Sequence, residues 1–326
     1  MNQLVGVKKW CCVYDLVIIG GGPAALAAAV YAARQKISFA VIAENIGGQT
    51  AISADIENYL GFPATNGPEL SNSFERHVSK YEVGVKEGEK VLAIQQSGKN
   101  FTVKTAASAY KTKAVLIASG KKPRKLNVPG EDRLYGRGVT YCATCDAPVF
   151  AGKDIAVIGG GNSAMDAALL AEKYSNKVYI ININPELKGD AIMMGSIRKS
   201  KKITVFSNAM TAEILGEKSV AGVKFRQNSS SGDNKEKSVS VQGAFVEIGY
   251  IPSVDFDRLT QKNKWNEIII HDDTEHFMSN LTSVPGIFAA GDVTDVPEKQ
   301  IIVAAGEGVK AVLSIFKFLG SQMQGY

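Results

Sequence analysis

Two cysteines separated by two residues, Cys142 and Cys145, are the side chains in this sequence best suited to chemistry, and an acid, Asp146, follows them directly. A Cys-x-x-Cys pair commonly serves as half of a zinc site, as a structural disulfide or as a redox pair. Two intervening residues let the sulfurs close a small ring that opens and reseals with little backbone motion. The spacing therefore raises three hypotheses, which differ in the partners that the pair would need.

The rest of the sequence favours the redox hypothesis. A structural zinc ion needs four ligands, whereas the chain has one such pair, and His77, His271 and His276 are far from it in sequence. We therefore predict no metal site. A structural disulfide is disfavoured in a reducing compartment. Asp146 suits a general acid–base, provided that its site is partly buried; the structural alternative is that it caps the short helix expected after it.

A first set of elements typical of nucleotide binding lies near the start of the chain. An apolar strand at 16–19 is followed by the turn Gly20-x-Gly22-x-x-Ala25 and by an alanine-rich helix. The glycines permit a tight turn and close approach of the backbone, and the helix N-terminus offers free N–H groups to a pyrophosphate. Glu44 follows the next β-rich segment, where an acid can bind a ribose hydroxyl. This segment is predicted to bind a dinucleotide.

The same pattern occurs a second time, farther along the chain. The turn Gly159-x-Gly161-x-x-Ala164 follows an apolar strand at 155–158, and a helix and a second strand at 178–181 come next. One such turn is weak evidence, but two in a strand–turn–helix–strand context predict an α/β protein with two Rossmann-like, three-layer ββα domains. The alternative is that only the first turn binds a nucleotide and that the second is a fold without one.

Other segments are predicted to complete these domains. An apolar strand at 114–118 follows a hairpin-like pair of strands, and the polar tract 228–237 is typical of an exposed hairpin loop. A later strand ends in Gly291-Asp292, and a final helix is predicted over about 301–319. The apolar residues at helical spacing on this helix are Ile302, Ala305, Val309, Val312 and Phe316.

The composition is that of an ordinary globular protein: 326 residues, enough for two domains, with 45% hydrophobic and 21% charged residues. No apolar segment reaches the ~18 residues of a membrane span, and the N-terminus lacks the apolar region of a secretory signal, so we expect a cytoplasmic protein. The net charge of +5 is mild and no nucleic-acid-binding motif is present, so neither nucleic acid nor a membrane is expected as a partner. Cys11 and Cys12 are assigned no role.

Eight motifs, spread in order over nearly the whole chain, resemble those of one flavoprotein family. The family is that of the low-molecular-weight thioredoxin reductases, and the resemblance is closer still to the reductase half of the alkyl hydroperoxide reductase flavoprotein. The motifs are Gly20–Ala25, GGQT (47–50), IENYLGFP (56–63), VPGED (128–132), TYCATCD (140–146), VIGGGNSAMDAA (157–168), AAGDVTDVPEKQ (289–300) and AAGEG (304–308).

The resemblance implies a discontinuous FAD-binding domain, formed by residues 1–124 and 251–326, with a nicotinamide-nucleotide domain at 125–250 inserted into it and carrying the cysteine pair. Such proteins are usually homodimers. The hydroperoxide flavoprotein carries additional N-terminal thioredoxin-like domains, which we expect this chain to lack because its first strand begins at about Val13. The family moves its inserted domain on two linkers, which would lie near 121–124 and 249–253 here.

The resemblance also implies an electron path and roles for the redox residues. Electrons would pass from a donor to FAD, then to the pair and on to a thioredoxin-like protein. Cys145 would be the thiol nearest the flavin, Cys142 would attack the protein substrate and Asp146 would be the general acid–base. Many relatives have glycine where this chain has Ala147. Two alternatives remain: the partner is a glutaredoxin-like protein that serves a peroxidase, or the protein binds FAD without thiol turnover and acts as a sensor or assembly partner.

The cofactor contacts that the resemblance implies fall into two sets. Asn58 and Gln300 also have a structural alternative, as loop and helix caps. The predicted FAD-binding residues are Gly20, Gly22, Pro23, Ala25, Glu44, Gly48, Gln49, Asn58, Gly120, Gly291, Asp292, Lys299 and Gln300. The predicted residues of the nicotinamide-nucleotide site are Gly159, Gly161, Asn162, Ser163, Asn182 and Lys188.

The chain departs from its relatives where the second nucleotide would be recognised. NADPH-using relatives carry arginines after the second strand of this unit, whose guanidinium groups bind the 2′-phosphate. This chain has Asn182 there, with Glu186 nearby, and retains only Lys188 among the basic positions. NADH-using relatives have glutamate at position 182. We therefore predict that NADH is preferred over NADPH, or that neither is a good donor and another reductant, such as reduced ferredoxin, is used. Glu298 also replaces an aromatic residue of the relatives.

Overall fold

The computed structural model describes residues 13–53, 56, 58–81, 83–228 and 234–323. Cys11 and Cys12 lie outside this part of the chain. Within it, no helix combines the length and the apolar character needed to cross a bilayer.

Strands and helices alternate along most of the chain, with two single turns of 3-10 helix at Gly48–Ile52 and Ala147–Phe150. The strands are β1 (Tyr14–Ile19), β2 (Phe39–Ala43), β3 (Val85–Glu87), β4 (Val91–Ser97), β5 (Asn100–Thr105), β6 (Ala109–Ile117), β7 (Lys121–Pro123), β8 (Val139–Thr140), β9 (Asp154–Ile158), β10 (Lys177–Ile181), β11 (Ile203–Phe206), β12 (Ala209–Leu215), β13 (Gly222–Asn228), β14 (Asn234–Val239), β15 (Gly243–Val246), β16 (Tyr250–Pro252), β17 (His271–Asp273), β18 (Met278–Leu281) and β19 (Ile287–Ala289). The helices are α1 (Pro23–Arg34), α2 (Gly67–Ser79), α3 (Glu131–Leu134), α4 (Ala143–Asp146), α5 (Asn162–Glu172), α6 (Ala191–Lys199) and α7 (Ile301–Met323).

The chain divides into two compact units. The second unit is Lys122–Ile251, joined by the short segment that begins at Ile52, and the first unit contains the chain on either side. The main chain passes between the units at β7 and β16, which pair with each other as a two-stranded sheet. Glycines with positive φ precede both strands, Gly120 (φ 64°) and Gly249 (φ 91°), a conformation that other residues adopt only at a cost.

The first unit is built on a nine-stranded sheet with the order β17-β18-β19-β6-β1-β2-β3, and β5, paired with β4, adds to β6. Five consecutive strands of this sheet are parallel to one another: β19, β6, β1, β2 and β3. The apolar residues of β1 and β6 are buried on both faces of the sheet, as expected for parallel strands covered on both sides. Helices α1 and α7 are in close contact at Gly308 of α7, where an added Cβ would lie only 2.0 Å from the carbonyl oxygen of Ala24 in α1.

The second unit repeats this architecture on a smaller scale. Its parallel sheet has the order β11-β10-β9-β15-β8, and an antiparallel sheet of β12, β13 and β14 accompanies it. The alanine-rich face of helix α5 packs against this sheet and forms a buried core with Phe245 of β15. The structure thus has the two Rossmann-like α/β folds that the repeated pattern predicts.

Two details of the predicted elements are corrected by the structure. The polar tract 228–237 is not all loop, since β14 begins at Asn234 and pairs with β13 from Asn228 back to Val223. Of the apolar residues at helical spacing on α7, Ile302 and Phe316 are exposed and Val312 is buried, and the other buried residues of the helix are mainly small ones. The close approach of α1 explains this, because only small side chains fit between two helices in near contact. The buried face of α7 includes Ala304, Gly308, Ala311, Val312 and Ile315.

Candidate functional site

In the first unit, the predicted FAD residues follow the carboxyl ends of neighbouring parallel strands. Gly20 follows β1, Glu44 follows β2, Gly120 follows β6 and Gly291 follows β19. The strand order β19-β6-β1-β2 sets these four chain segments side by side at one edge of the sheet. In open parallel sheets, ligands bind at this edge. The topology therefore gathers residues that are far apart in the sequence.

The first glycine-rich turn has the space and the donors that a pyrophosphate requires. Gly20 has φ 128°, and a Cβ there would lie 2.2 Å from the carbonyl oxygen of Ala118, so no larger residue fits. Gly22 is the N-cap of α1, Pro23 is its first residue, and a Cβ at Gly22 would meet nothing within 4 Å. The open space in front of the N-terminus of a twelve-residue helix fits an anion.

Other predicted FAD residues contact one another or their neighbours in this unit. The Asn58 Nδ2 group donates to Gln300 Oε1 at 3.2 Å, which connects the segment around Asn58 to the residue that directly precedes α7. The Lys299 ammonium group lies 3.1 Å from a Glu267 carboxylate oxygen and donates to the carbonyl oxygen of Thr294. Lys299 is therefore already held by an acid of its own unit.

Three further predicted residues lie at or near this edge. The Asp292 carboxylate is in an ion pair with Lys121, with an N–O distance of 3.0 Å. Glu44 is exposed and lies 3.8 Å from the ammonium nitrogen of Lys90. Gln49 belongs to the 3-10 turn after β2. Its neighbour Gly48 lies close to the first glycine-rich turn, since a Cβ added at Gly48 would be 3.4 Å from the Cα of Gly22.

In the second unit, the same rule of strand ends brings four positions together. Asn182 follows β10, Gly159 follows β9, Glu247 follows β15 and Cys142 lies two residues after β8. The strand order β10-β9-β15-β8 arranges them in that sequence along the carboxyl edge. The segment that carries the cysteine pair, 141–146, which we call the redox turn, therefore shares one edge with the second glycine-rich turn, and Glu247 lies between them.

The second glycine-rich turn has the same geometry as the first. Gly159 has φ 140°, and a Cβ there would lie 2.1 Å from the carbonyl oxygen of Glu247. Gly161 is the N-cap of α5, and a Cβ there would meet nothing within 4 Å. Asn162 and Ser163 begin the helix, and the Asn162 Oδ1 atom accepts from the backbone N–H of Asp190 at 2.9 Å. This turn also fits a pyrophosphate.

Asn182 is bound within its own loop. Its side chain is fully buried. The Oδ1 atom accepts from the backbone N–H of Asn184 at 3.1 Å, and the Nδ2 group donates to the carbonyl oxygen of Glu186 at 2.9 Å. A Cβ at Gly160 would lie 2.2 Å from this Oδ1. Lys188, by contrast, has an exposed side chain, while its backbone N–H donates to the carbonyl oxygen of Gly160 at 2.8 Å.

The redox turn consists of the two residues after β8 and the short helix α4. Cys142 is disulfide-bonded, and its backbone N–H donates to the Thr140 hydroxyl at 3.0 Å. Cys145 and Asp146 lie on α4, although the side chain of Cys145 is outside the part of the chain that the structure describes. Asp146 stands at the N-cap of the following 3-10 turn but makes no capping side-chain hydrogen bond there. The side chain of Asp146 therefore does not cap the short helix that follows it, which was the structural alternative.

Glu247 is a candidate that sequence reasoning missed. Burial raises the pKa of its carboxyl group from the usual 4.5 to about 7; a hydrogen bond from the backbone N–H of Ala143 opposes this, and the nearby Asp166 adds to it. The available signal was an acid placed directly after a buried apolar strand, β15. Its significance depends on the strand order, which local pattern does not reveal.

Comparisons with known proteins agree with this geometry. Residues 14–308 match the family described as pyridine nucleotide-disulphide oxidoreductase. The chain is 40% identical over 312 residues to an alkyl hydroperoxide reductase subunit from Escherichia coli (strain K12), and 38% identical over 307 residues to an NADH dehydrogenase of Bacillus subtilis (strain 168). Each match covers 94% of this chain and 58% of the relative, so the chain spans little more than half the length of these relatives.

A solved thioredoxin reductase from Lactococcus lactis resembles this structure, with a TM-score of 0.82 and 34% sequence identity over 94% of this chain and 99% of that one. The predicted family resemblance and the predicted fold class are both confirmed.

Proposed function

This chain belongs to the pyridine nucleotide-disulphide oxidoreductase family, and on that premise we propose that it is an FAD-dependent reductase of the thioredoxin-disulfide type. The observation that carries the proposal is the disulfide bond of Cys142, which lies at the same carboxyl edge of a Rossmann-like sheet as a glycine-rich turn. FAD, when bound, supplies a two-electron carrier between the donor and the cysteine pair. The enzyme assay that tests this is turnover of a thioredoxin-like disulfide with a supplied donor.

The first unit would hold FAD and the second a nicotinamide nucleotide. The division that we propose is 1–124 and 251–326 for FAD and 125–250 for the inserted domain. Support comes from the two open glycine-rich turns, at Gly22 and Gly161. Around the first turn, Glu44 would accept from a ribose hydroxyl of the adenosine, and Asp292 from a hydroxyl of the ribityl chain, which requires that Asp292 share or leave Lys121. The remaining proposed FAD contacts are Gly20, Pro23, Ala25, Gly48, Gln49, Asn58, Gly120, Gly291, Lys299 and Gln300.

The cysteine pair would carry out thiol–disulfide exchange with a protein partner. Its disulfide takes up two electrons and two protons and becomes two thiols. The Cys142 thiolate then attacks the partner's disulfide and forms a mixed disulfide with it. Cys145 attacks the Cys142 sulfur of that bond, which releases the reduced partner and restores the intramolecular disulfide. Asp146 would hold and return the proton of the leaving thiol.

Replacing Asp146 by Asn should slow this exchange by about 10²–10⁴-fold, because an amide neither accepts nor releases the thiol proton. Reduction of the bound flavin by the donor should be unchanged, since no thiol takes part in it. Stopped-flow absorbance measures both steps separately. Glu213→Gln, a carboxylate replaced on β12 of the same unit, serves as the control and should exchange at the normal rate. An unchanged rate in the Asp146 variant would mean that Asp146 is not the general acid–base of the exchange.

We propose NADH as the preferred nicotinamide donor. No arginine or lysine stands at 182–187 to bind a 2′-phosphate. The Asn182 amide is already bound by Asn184 and Glu186, so it offers little to the ribose. A Bacillus subtilis relative is named an NADH dehydrogenase, which favours the same nucleotide. Reduced ferredoxin is the alternative, in which neither nucleotide binds well.

The kcat/KM for reduction of the bound flavin should therefore be at least about tenfold higher with NADH than with NADPH. This is about the effect of losing one charge-assisted contact to the 2′-phosphate of NADPH. Anaerobic bleaching of flavin absorbance measures it. Lys188→Ala should weaken NADPH further and leave NADH unchanged. Rapid bleaching by micromolar NADPH would contradict the proposal, and bleaching by neither nucleotide but by reduced ferredoxin would support the alternative.

The protein partner would be a thioredoxin-like protein. A glutaredoxin-like protein that serves a peroxidase is the second candidate, which the similarity to the alkyl hydroperoxide reductase relative favours.

We also propose a homodimer, in which a second copy would cover exposed apolar side chains such as Ile302 and Phe316 of α7. A cytoplasmic location would keep the thiols of the pair reducible.

A further inference from the structure

Glu247 lies directly beside the redox turn because of the strand register. In the parallel pair β15–β8, Ala244 is opposite Val139 and Phe245 is opposite Thr140. Glu247 is the first residue after β15 and Cys142 is the second residue after β8, so the two residues follow neighbouring strand ends. On the other side, the backbone N–H of Glu247 donates to the carbonyl oxygen of Ile158 at 2.8 Å, at the end of β9. Glu247 therefore stands between the second glycine-rich turn and the redox cysteine.

The Glu247 carboxylate holds the turn as well as lying near it. It accepts a hydrogen bond from the backbone N–H of Ala143, the residue that follows Cys142. The titratable groups around it on other elements are Asp166 of α5 and Tyr250 of β16. No basic side chain contributes to its electrostatics within the described part of the chain. A carboxylate with acidic neighbours, partial burial and one N–H donor is costly to ionise.

We propose that Glu247 is a positioning residue of the redox turn, and that loss of its proton makes the thiol at position 142 harder to ionise. The inference rests on the proposed exchange function of the pair. Below neutral pH, Glu247 is protonated and adds no charge beside the sulfur. As the pH rises through about 7, its ionisation places a negative charge where the thiolate must form. Like charges repel, so the ionised carboxylate raises the pKa of the Cys142 thiol. In the same way, formation of the thiolate favours the protonated form of Glu247.

The test compares the native holoenzyme with Glu247→Gln, both reduced with dithiothreitol. Glutamine keeps an oxygen that accepts from Ala143 but never carries the charge. The rate of alkylation of Cys142 by iodoacetamide is measured between about pH 5.5 and 9.5 by mass spectrometry of the peptide. The two proteins should react at the same rate at the acidic end. Near pH 8 the variant should react about three- to tenfold faster, which corresponds to a thiol pKa lowered by up to about one unit.

Two further measurements keep the outcome decisive. Glu213→Gln, the matched control on β12, should follow the native profile at every pH. The native profile itself should show two titrations, one of them near pH 7; this readout does not depend on how well the variant folds. Superimposable profiles for the native protein and Glu247→Gln, or a single titration in the native protein, would overturn the inference. Because dithiothreitol supplies the electrons, failure of a donor to reduce the pair would count only against the proposed function.

Discussion

Replacing Cys145 by Ser is expected to abolish turnover of a thioredoxin-like disulfide, with a loss of at least about a thousandfold, the scale seen when a reacting group is removed. Exchange needs two sulfurs, because the mixed disulfide with the partner is resolved only by a second thiol. The donor should still reduce the bound flavin at the native rate. The readouts are steady-state turnover and anaerobic flavin bleaching, measured on the same preparation.

The comparison with Cys142→Ser separates the roles of the two sulfurs. If Cys142 is the attacking thiol, Cys145→Ser retains it and should accumulate a mixed disulfide with the partner, visible as a larger species on a non-reducing gel. Cys142→Ser should be equally inactive but should trap no partner. Trapping by the second variant instead would reverse the assigned roles. Full activity in Cys145→Ser would support a flavoprotein that acts without thiol turnover.

The second large effect is expected from a charge placed in each glycine-rich turn. Gly22→Asp should lower FAD affinity by about 2–4 kcal/mol, or roughly thirty- to a thousandfold, because the carboxylate would face the phosphates across a few ångströms. The fold should tolerate the change. Gly22 has φ −81° and is the N-cap of α1, a position where Asp is favoured, and a Cβ there meets nothing within 4 Å. Flavin absorbance after reconstitution with FAD gives the occupancy, and thermal unfolding of the FAD-free protein gives its stability.

Gly161→Asp is the matched substitution in the second unit. Gly161 is the N-cap of α5, has φ −94° and is equally open in front. This variant should retain FAD and lose reduction of the flavin by NADH. Full FAD occupancy in Gly22→Asp would mean that the first turn does not bind the pyrophosphate. Unchanged reduction by NADH in Gly161→Asp would favour a second fold that binds no nucleotide.

Much of the fold was predictable because its signals are local. The apolar strands that precede Gly20 and Gly159 appear in the structure within two residues of their predicted bounds, and a helix follows each of them, as predicted. Turn chemistry and hydrophobic period act over a few residues, so they are readable from sequence. The face of α7 was not predictable in the same way. Which side of an apolar helix is buried depends on how near its neighbour lies, and here α1 selects the small residues.

The sequence by itself determined the redox pair, the two glycine-rich turns and the absence of arginines at 182–187, because each is a matter of residue type and spacing. Only the tertiary structure decided what lies beside these residues. It buried the amide of Asn182 in its own loop and placed Glu247 beside the redox turn, where its carboxyl group accepts a hydrogen bond from the backbone N–H of Ala143. Strand order and register come from contacts between segments that are far apart in the chain, and no local period encodes which strands become neighbours.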